Sequence, residues 1–317
     1  MLVTRGTSRT GYAPVALTIG NFDGVHTGHK AILERLALEA GARRLQSCVM
    51  TFEPHPREFF GRIQGKPAMA PTRLSSLREK IGLLAANGVE RIHVQRFSSA
   101  FAAQTPEQFV SGLLHRDLSA RWILIGDDFC FGAKRAGNFE LLRRLGANLG
   151  MEVEAIGTVA LNGMRVSSGA VRDALASGDL PRASLLLGRT YSISGRVVHG
   201  DGFGRQLGFA TANVQMQHNR PPLMGIFAVR MHGVGDNPIP GVASLGVRPT
   251  VKSEGAAVLE VHLFDFAGDL YGRHVRVEFL HKIRDEEKYP DTETLRVQIG
   301  RDCEAARSLL MESGTNG

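Results

Sequence analysis

The sequence predicts a protein of two domains: a doubly wound α/β domain, followed by a compact β-barrel with a C-terminal helix. The chain has 317 residues, 43% of them apolar, which is enough for two domains and for a full buried core. Residues 15–157 alternate short β-rich runs with helical periodicity, a pattern typical of a parallel sheet covered by helices. Beyond Gly188 the β-rich runs follow one another without helices between them. We therefore predict one domain over residues 1–185 and a second over residues 186–317.

The elements of the first domain follow from apolar runs and helix-capping residues. The predicted strands are residues 15–22, 45–52, 91–97, 121–125 and 151–156. The predicted helices are residues 29–40, 75–87, 138–148, 168–176 and 180–187, with a further one opening at Thr105. Gly41 follows the first helix at a position typical of a C-cap, and Thr105 with Gln108 forms a capping box. Asn162 and Gly163 predict a hairpin turn.

The second domain is predicted from a regular spacing of short apolar runs. These runs are residues 191–198, 226–231, 242–245, 258–264 and 274–279. Clusters of Gly, Pro and Asp separate them, which indicates a compact β-barrel or a sandwich. A final amphipathic helix, residues 292–311, is expected to pack on it.

Composition restricts the class of function. No stretch approaches the roughly 18 uninterrupted apolar residues of a membrane span, and residues 1–14 lack the apolar run of a signal peptide. We therefore expect a cytoplasmic protein without a membrane partner. Cys48, Cys130 and Cys303 lie far apart and outside any metal-ligand spacing, so neither disulfides nor structural zinc are expected. The net charge of +7 fits nucleic acid, but it fits pockets that hold several phosphate groups equally well.

Residues 20–29, GNFDGVHTGH, lie between a strand and a helix, where an open α/β sheet places its ligand crevice. The glycines let the backbone approach a ligand closely, and the free N–H groups of the following helix favour an anion. His26 and His29 are three residues apart, so at a helix start they project from one face and can donate to phosphate oxygens. The alternative is a pair of surface histidines beside a structural turn.

Three later segments carry groups suited to the same site. Residues 51–56 read TFEPHP, residues 125–132 read IGDDFCFG, and residues 166–172 read VSSGAVR. Ser168 can begin a helix, and Arg172 offers a guanidinium group to a polyphosphate. Taken singly, such residues are equally typical of a loop carboxylate, a core aromatic ring or a solvated helix arginine.

Together these segments resemble the HxGH nucleotidyltransferase superfamily, and residues 20–29 resemble its FMN adenylyltransferase branch. The resemblance implies that the FMN phosphate attacks the α-phosphorus of ATP and that pyrophosphate leaves, without a covalent enzyme intermediate. The residues implied to bind ATP and phosphate are Gly20, Asn21, Phe22, Asp23, Gly24, His26, His29, Ser168 and Arg172, with the two histidines catalytic. Those implied to bind flavin are Phe52, His55, Pro56, Asp128 and Phe129. Gly169 stands where the family motif has threonine.

A second glycine-rich segment, residues 195–213, follows a strand and is neither a Walker loop nor a dinucleotide fingerprint. A glycine-rich hairpin can cover phosphates, while Thr211 and Asn213 alternate along an extended stretch and can hold a Mg²⁺-bound phosphate. The alternative is a flexible barrel loop followed by a polar edge strand. Glu260 interrupts the apolar run 258–264, which indicates either a functional carboxylate or an outward-facing position in simple alternation.

This segment resembles riboflavin kinase, with Ala210 where the family signature has proline. Further matches extend the resemblance to the C-terminus, at residues 225–229, 246–250, 259–263, 270–272 and 279–284. The resemblance implies that Glu260 deprotonates the ribityl 5′-hydroxyl for attack on the γ-phosphate of ATP. It implies ATP binding by Gly202, Gly204, Arg205, Thr211 and Asn213, with Mg²⁺ held by Thr211 and Asn213.

The leading hypothesis is therefore an enzyme that resembles the bifunctional riboflavin kinase/FMN adenylyltransferase family. Its expected partners are riboflavin, FMN, FAD and ATP, with Mg²⁺ as cofactor. A second reading keeps the nucleotidyl transfer but changes the acceptor, for example to pantetheine phosphate or a nicotinate nucleotide, and it leaves the second half of the chain unexplained. A non-enzymatic nucleic-acid-binding module rests on the net charge of +7 alone, because the sequence has no RNP-type motif, zinc finger or basic helix.

Overall fold

The computed structural model describes residues 1–6, 12–157, 160–161, 164–217, 220–247 and 257–312. The chain divides into two compact units. The first comprises Met1–Pro71 and Leu77–Ser167, and the second comprises Thr72–Ser76 and Ser168–Gly317. The two short helices before Gly188 therefore belong to the second unit. Whether the independently folding parts meet near residues 185–186 stays a prediction.

The first unit is built on a six-stranded sheet with the strand order β1-β4-β3-β2-β5-β6. The strands are β1 (Leu2–Arg5), β2 (Val15–Ile19), β3 (Gln46–Glu53), β4 (Arg91–Arg96), β5 (Ala120–Gly126) and β6 (Glu152–Ile156), and all neighbours are parallel. The chain order reverses between β2 and β5, and such a switch point is where an open sheet forms its ligand crevice. The predicted doubly wound α/β fold is confirmed.

Helices cover the faces of this sheet. They are α1 (Thr27–Arg43), α2 (Pro56–Ile63), α3 (Leu77–Ala86), α4 (Ser99–Ala102), α5 (Pro106–Gln108) and α6 (Phe139–Ala147). A π-helix, Phe109–Asp117, continues directly from α5, and 3₁₀ turns lie at Pro67–Met69 and Ala133–Arg135. The short strands β7 (Ala160–Leu161) and β8 (Met164–Arg165) pair antiparallel, as the hairpin prediction requires, while Asn162 and Gly163 themselves lie outside the described residues.

The predicted end of the first helix at Gly41 is wrong. Helix α1 continues to Arg43, and Arg44, with a φ of 55°, is the left-handed C-cap residue. A helical glycine costs only about 1 kcal/mol relative to alanine. Arg43 offsets part of this cost because its guanidinium contacts Glu39 and Glu152, the latter through Nη2 at 3.1 Å.

Both faces of the sheet are packed with apolar side chains. On one face lie Leu17, Met50 and Ile123, and on the other Ala16, Val49 and Trp122. Every residue of β2 is buried, as expected for a central strand of a parallel sheet. Strand β1 was not predicted, because it is short, mostly exposed and paired only along one edge to β4.

The second unit contains a closed barrel with the strand order β10-β13-β12-β11-β14-β9. Its strands are β9 (Ser192–Val198), β10 (Ala212–Gln215), β11 (Gly225–His232), β12 (Ile239–Val247), β13 (Ala257–Leu263) and β14 (His274–Arg284). Its helices are α7 (Ser168–Ala176), α8 (Leu180–Leu187), α9 (Phe203–Gln206) and α10 (Thr292–Glu312). All strand pairs are antiparallel, and β9 pairs with β10 to close the ring. The barrel prediction is confirmed over the sandwich.

Helix α10 packs on the outer surface of the barrel. Its Ala306 and Leu310 lie in one apolar cluster with Ile226, Ala228 and Val242 of the neighbouring strands. Helix α9 lies inside the glycine-rich segment, where no helix was predicted. Throughout the part of the chain that the structure describes, every helix is too short or too polar to cross a membrane.

Candidate active sites

A cavity of about 810 Å³ opens at the carboxyl ends of β2, β3 and β5 in the first unit. All five residues predicted to bind flavin line it, namely Phe52, His55, Pro56, Asp128 and Phe129. Four of the residues predicted to bind ATP also line it, namely Gly20, Asn21, Phe22 and His29. The crevice at the switch point of the sheet thus brings together three motifs that lie far apart in the sequence.

Residues 20–29, here called the motif loop, are held tightly between β2 and α1. Phe22 and Val25 have φ values of 47° and 42°, a left-handed conformation that is unfavourable for residues with a side chain. The amide of Gly20 donates to the carbonyl of Met50 at 3.0 Å, and the hydroxyl of Thr51 donates to the carbonyl of Asn21 at 3.0 Å. Contacts to β3 therefore stabilise a strained loop, as is common at functional sites.

His26 and His29 form a stacked pair, with ring centroids 3.6 Å apart and planes 14° from parallel. His26 is the N-cap of α1, and its Nδ1 accepts a hydrogen bond from the His29 amide at 3.3 Å. A Cβ atom at Gly28 would lie 3.2 Å from that Nδ1 atom, so the glycine between the histidines leaves room for the ring. The HxGH pattern thus has a steric explanation in this chain.

Burial lowers the pKa of His29 well below its usual 6.5, and the positive charges of His26 and Lys80 lower it further. The imidazole is therefore neutral near pH 7 and carries one N–H donor. Its Nδ1 atom is buried and has no hydrogen-bond partner among the described residues. The His29 side chain itself lines the cavity.

An aromatic wall of five residues forms one side of the cavity: Phe52, Phe97, Phe101, Phe129 and Phe131. Phe129 and Phe131 stack with centroids 5.6 Å apart, and Phe97 meets Phe101 edge to face at 5.4 Å. Such a wall suits a large planar ring system. Phe97 and Phe101 were missed, although their position just after β4 placed them at the same edge of the sheet.

His55 and Pro56 also begin helix α2. His55 is the N-cap, and its Nδ1 accepts from the Arg57 amide at 3.1 Å while its own amide donates to Glu58 at 3.3 Å. This capping box fixes the orientation of the His55 ring at the cavity. Asp128 lies 3.6 Å from Arg165, in a pair so exposed that it contributes little to stability.

The other residues predicted to bind ATP are placed differently. Asp23, Gly24 and His26 belong to the motif loop but do not line the cavity. Ser168 is the first residue of α7, as predicted, and Arg172 on the same helix donates from Nε to the carbonyl of Thr72 at 2.7 Å. Both lie in the second unit, so their role toward ATP stays a prediction.

Lys80 was missed by the sequence analysis. It is 1% exposed, and its Nζ donates to the Thr51 hydroxyl at 3.3 Å. A signal was present, because Leu77, Lys80 and Leu84 share one face of α3 at helical spacing. A lysine at a core-facing position of an amphipathic helix is rare and calls for an explanation.

A second cavity, of about 550 Å³, lies on the outer surface of the barrel and is lined by Glu260, Ser244, Thr211 and Gly204 among others. Leu259 and Val261 on either side of Glu260 are buried, so Glu260 points away from the barrel interior. Glu260 pairs in register with Asn213 on β10 and with Ser244 on β12. These three polar residues thus form a row across three strands. Glu260 faces outward, as simple alternation predicts, and it also lines the cavity.

Thr211 lines this cavity and an adjacent one of about 280 Å³, which Arg205 also lines. The glycine-rich segment packs closely on the two residues predicted to hold metal. A Cβ atom at Gly204 would lie 3.1 Å from the Thr211 hydroxyl, and one at Gly200 would overlap the Asn213 side chain. Gly202 is the left-handed N-cap of α9, with a φ of 69°.

A hydroxyl and an amide carbonyl are hard oxygen donors, which fit Mg²⁺ when phosphates supply further ligands. Among the described residues no group of three or more His, Cys, Asp or Glu side chains could hold a metal. Thr211 and Asn213 thus offer the kind of oxygen donors that Mg²⁺ accepts beside the phosphates of a nucleotide.

The segment after β14 closes the far side of the 550 Å³ cavity. The Ser244 hydroxyl donates to Glu286 at 3.0 Å, and Arg284 binds the buried Asp302 of α10 through Nε at 2.9 Å and Nη2 at 2.6 Å. The sequence analysis did not predict these polar contacts, because their partners come together only when the barrel closes and α10 packs on it. Of the predicted match at residues 246–250, residues 248–250 lie outside the described part of the chain.

Comparison with known proteins covers both units. The family model for FAD synthetase matches residues 10–170, and the family model for riboflavin kinase matches residues 187–310. A solved structure described as a macrolide-efflux protein from Streptococcus pneumoniae is 28% identical, with a TM-score of 0.79 over 97% of this chain and 99% of that chain. The two structures are therefore similar over nearly the whole length of both chains.

Curated relatives share the sequence over the same length. The bifunctional riboflavin kinase/FMN adenylyltransferase of Escherichia coli (strain K12) is 46% identical over 313 residues, or 98% of each chain. The protein of that name from Pseudomonas fluorescens is 46% identical over 296 residues, or 93% of each chain. With both family models matched in order and relatives this similar from end to end, the chain belongs to the bifunctional riboflavin kinase/FMN adenylyltransferase family.

Proposed function

We propose that this chain phosphorylates riboflavin to FMN in its second unit and transfers AMP from ATP onto FMN in its first, which yields FAD. The observation that carries the proposal is the pair of separate cavities, each lined by residues of the matching family motif. The cavity of about 810 Å³ holds the motif loop and the aromatic wall, whereas Glu260 and Thr211 line the cavity of about 550 Å³. Both family models match in the same order along the chain.

In the adenylyl transfer, an oxygen of the FMN phosphate attacks the α-phosphorus of ATP and pyrophosphate leaves. The aromatic wall binds the flavin ring and so orients its phosphate toward the motif loop. The neutral His29 ring donates its N–H to the departing pyrophosphate, and the N-terminus of α1 adds the positive end of its helix dipole. The reaction proceeds without a covalent bond to the protein.

In the kinase reaction, Glu260 accepts the proton of the ribityl 5′-hydroxyl while that oxygen attacks the γ-phosphorus of ATP, and ADP leaves. The apolar part of the same cavity, which includes Leu207, Ile226 and Leu295, binds the flavin ring. Thr211 and Asn213 are the residues that would hold Mg²⁺. When bound there, Mg²⁺ neutralises charge on the phosphates of ATP.

The proposed location is the cytoplasm, where ATP is available. The thiols of Cys48, Cys130 and Cys303 are all free, which is consistent with a reducing compartment.

The test is the product distribution of the purified full chain. Riboflavin, ATP and Mg²⁺ should yield FMN and then FAD, separated by chromatography, while excess EDTA should stop both steps and added Mg²⁺ restore them. Failure to form FMN, or full activity in chelator, would contradict the proposal. If FMN accumulates while pantetheine phosphate or nicotinate mononucleotide is adenylylated instead, the acceptor assignment is wrong.

A further inference from the structure

Lys80 is a buried cation that the mechanism above leaves unused. It lies on α3 with 1% of its surface exposed, against a strand that runs to the edge of the 810 Å³ cavity. Removing an ammonium group from water is strongly unfavourable unless the surroundings compensate. Packing alone gives no reason to place a lysine here, since leucine or methionine would fill the same space without that cost.

Hydrogen bonds connect Lys80 to the motif loop. Its Nζ donates to the Thr51 hydroxyl at 3.3 Å, and the same hydroxyl donates to the carbonyl of Asn21 at 3.0 Å. Thr51 is fully buried, so neither bond competes with water. The two consecutive hydrogen bonds, from Lys80 to Thr51 and from Thr51 to Asn21, therefore hold the motif loop next to Phe22, which has an unfavourable φ of 47°.

The charge of Lys80 also reaches the histidine pair. After burial and the neighbouring His26, Lys80 is a further cause that lowers the pKa of His29. A cation that disfavours a proton on the ring must favour an anion beside the ring, because both effects arise from one local potential. In a buried site this attraction is screened much less than at the surface.

We propose that Lys80 is a positioning residue for adenylyl transfer, which holds the motif loop through Thr51 and supplies a fixed positive charge behind the polyphosphate of ATP. The inference rests on the proposed assignment of the motif loop to ATP. It places the effect of Lys80 on the nucleotide and the leaving pyrophosphate. The flavin is bound at the aromatic wall, and Lys80 is not one of the residues that line the cavity.

The experiment compares Lys80→Met, Lys80→Arg and Thr51→Val in the full chain. FAD formation from FMN is measured as kcat and as separate KM values for ATP and FMN, and riboflavin kinase activity of each preparation is the internal control. We expect Lys80→Met to lower kcat/KM for ATP by about 10- to 100-fold, as when a group that orients a direct ligand is lost. The KM for FMN and the kinase activity should stay near their wild-type values.

The other two variants separate charge from packing. Lys80→Arg retains the charge and should recover most of the lost kcat/KM for ATP, while Thr51→Val keeps the lysine but removes the link to Asn21 and should show an intermediate loss. Thermal melts establish that each variant is folded. If Lys80→Met does not fold, the values of kcat/KM for ATP in Thr51→Val and Lys80→Arg still test the proposal.

Three results would overturn the inference. They are wild-type kinetics for ATP in folded Lys80→Met, equal losses of ATP and FMN affinity in that variant, and no effect of Thr51→Val. Failure of the proposed function itself is a different outcome, because the wild-type chain would then form no FAD from FMN and ATP.

Discussion

Single residues in the motif loop show how a short motif becomes a site. A Cβ atom at Gly28 would press on the His26 ring from 3.2 Å, and that ring in turn caps α1 and stacks on His29. The three residues are therefore interdependent. A substitution at any one of them changes the orientation of the His29 ring at the cavity.

The first prediction concerns His29. Replacing it by Ala removes a donor to the leaving pyrophosphate, which typically costs about 100-fold or more in rate. FMN should accumulate from riboflavin, because the kinase site is separate. Chromatography of products from riboflavin and from FMN measures this. Normal FAD formation in a folded variant would show that His29 is not part of the site.

The complementary prediction concerns Glu260. Glu260→Gln keeps the size of the side chain but removes the proposed base, so riboflavin phosphorylation should fall by about 100-fold or more. FAD synthesis from supplied FMN should persist in the same preparation. The assignment is wrong if this variant forms FMN at the wild-type rate.

A third prediction links the His29 pKa to stability. Because the folded state holds the pKa of His29 well below 6.5, the unfolded chain binds a proton there that the folded chain does not. The free energy of unfolding should therefore fall as pH drops below about 6.5, by at most about 1.4 kcal/mol per pH unit for this group.

Urea denaturation, followed by fluorescence of the single tryptophan, measures this effect. Trp122 is fully buried in the core of the first unit and so reports on its unfolding. His29→Gln should lose less stability than wild type between pH 7 and pH 5. His93, whose pKa is also lowered by burial, contributes equally in both proteins and cancels in the comparison. Parallel pH profiles would contradict the prediction.

At the scale of elements, α10 is joined to β14 by a partly buried ion pair. Arg284 on the strand binds Asp302 on the helix through two nitrogens, and Gln298 donates to the same carboxylate at 2.9 Å. Asp302 is only 3% exposed. Both residues line the 550 Å³ cavity, so the pair also fixes one end of that cavity.

Asp302→Ala should therefore destabilise the second unit by about 1 to 3 kcal/mol, because it leaves a partly buried guanidinium group without its carboxylate partner. The measurement is the temperature at which riboflavin kinase activity is lost. Glu293→Ala is the matched control, since Glu293 and Arg296 form an exposed pair on the same helix and should contribute less than about 1 kcal/mol. Equal effects of the two substitutions would rule out this role for Asp302.

At the scale of the whole molecule, each unit carries its own core, its own sheet or barrel and its own cavity. The barrel closes entirely within residues 192–284, and α10 completes it. Residues 168–187 precede the barrel, yet α7 and α8 belong to the second unit, and α8 contacts β14.

We predict that residues 187–317, expressed alone, fold and convert riboflavin to FMN, because every barrel strand lies inside this fragment. A longer fragment, residues 168–317, should show the same activity and a higher melting temperature, since it keeps the apolar residues of α8. Circular dichroism and FMN formation test both. If residues 187–317 do not fold while residues 168–317 are active, the second domain begins at the start of α7.

Local patterns determined much of this protein. Both fold classes, the final helix and the positions of both glycine-rich segments could be predicted from residues close together in the chain. All five predicted flavin residues line one cavity, because the carboxyl ends of parallel strands meet at one edge of the sheet. The Gly41 cap and the absence of a helix near Phe203 were predicted wrongly, since propensity is a weak guide wherever tertiary contacts offset it.

Only the tertiary structure decided which distant residues meet. Strand register places Asn213, Glu260 and Ser244 in one row, and nothing in the sequence near Glu260 specifies its partners on β10 and β12. The packing of α3 on the sheet brings Lys80 to Thr51, 29 positions away in the chain. Such contacts depend on how whole elements bury their apolar faces against each other, a condition that involves the entire fold and that no local stretch of sequence contains.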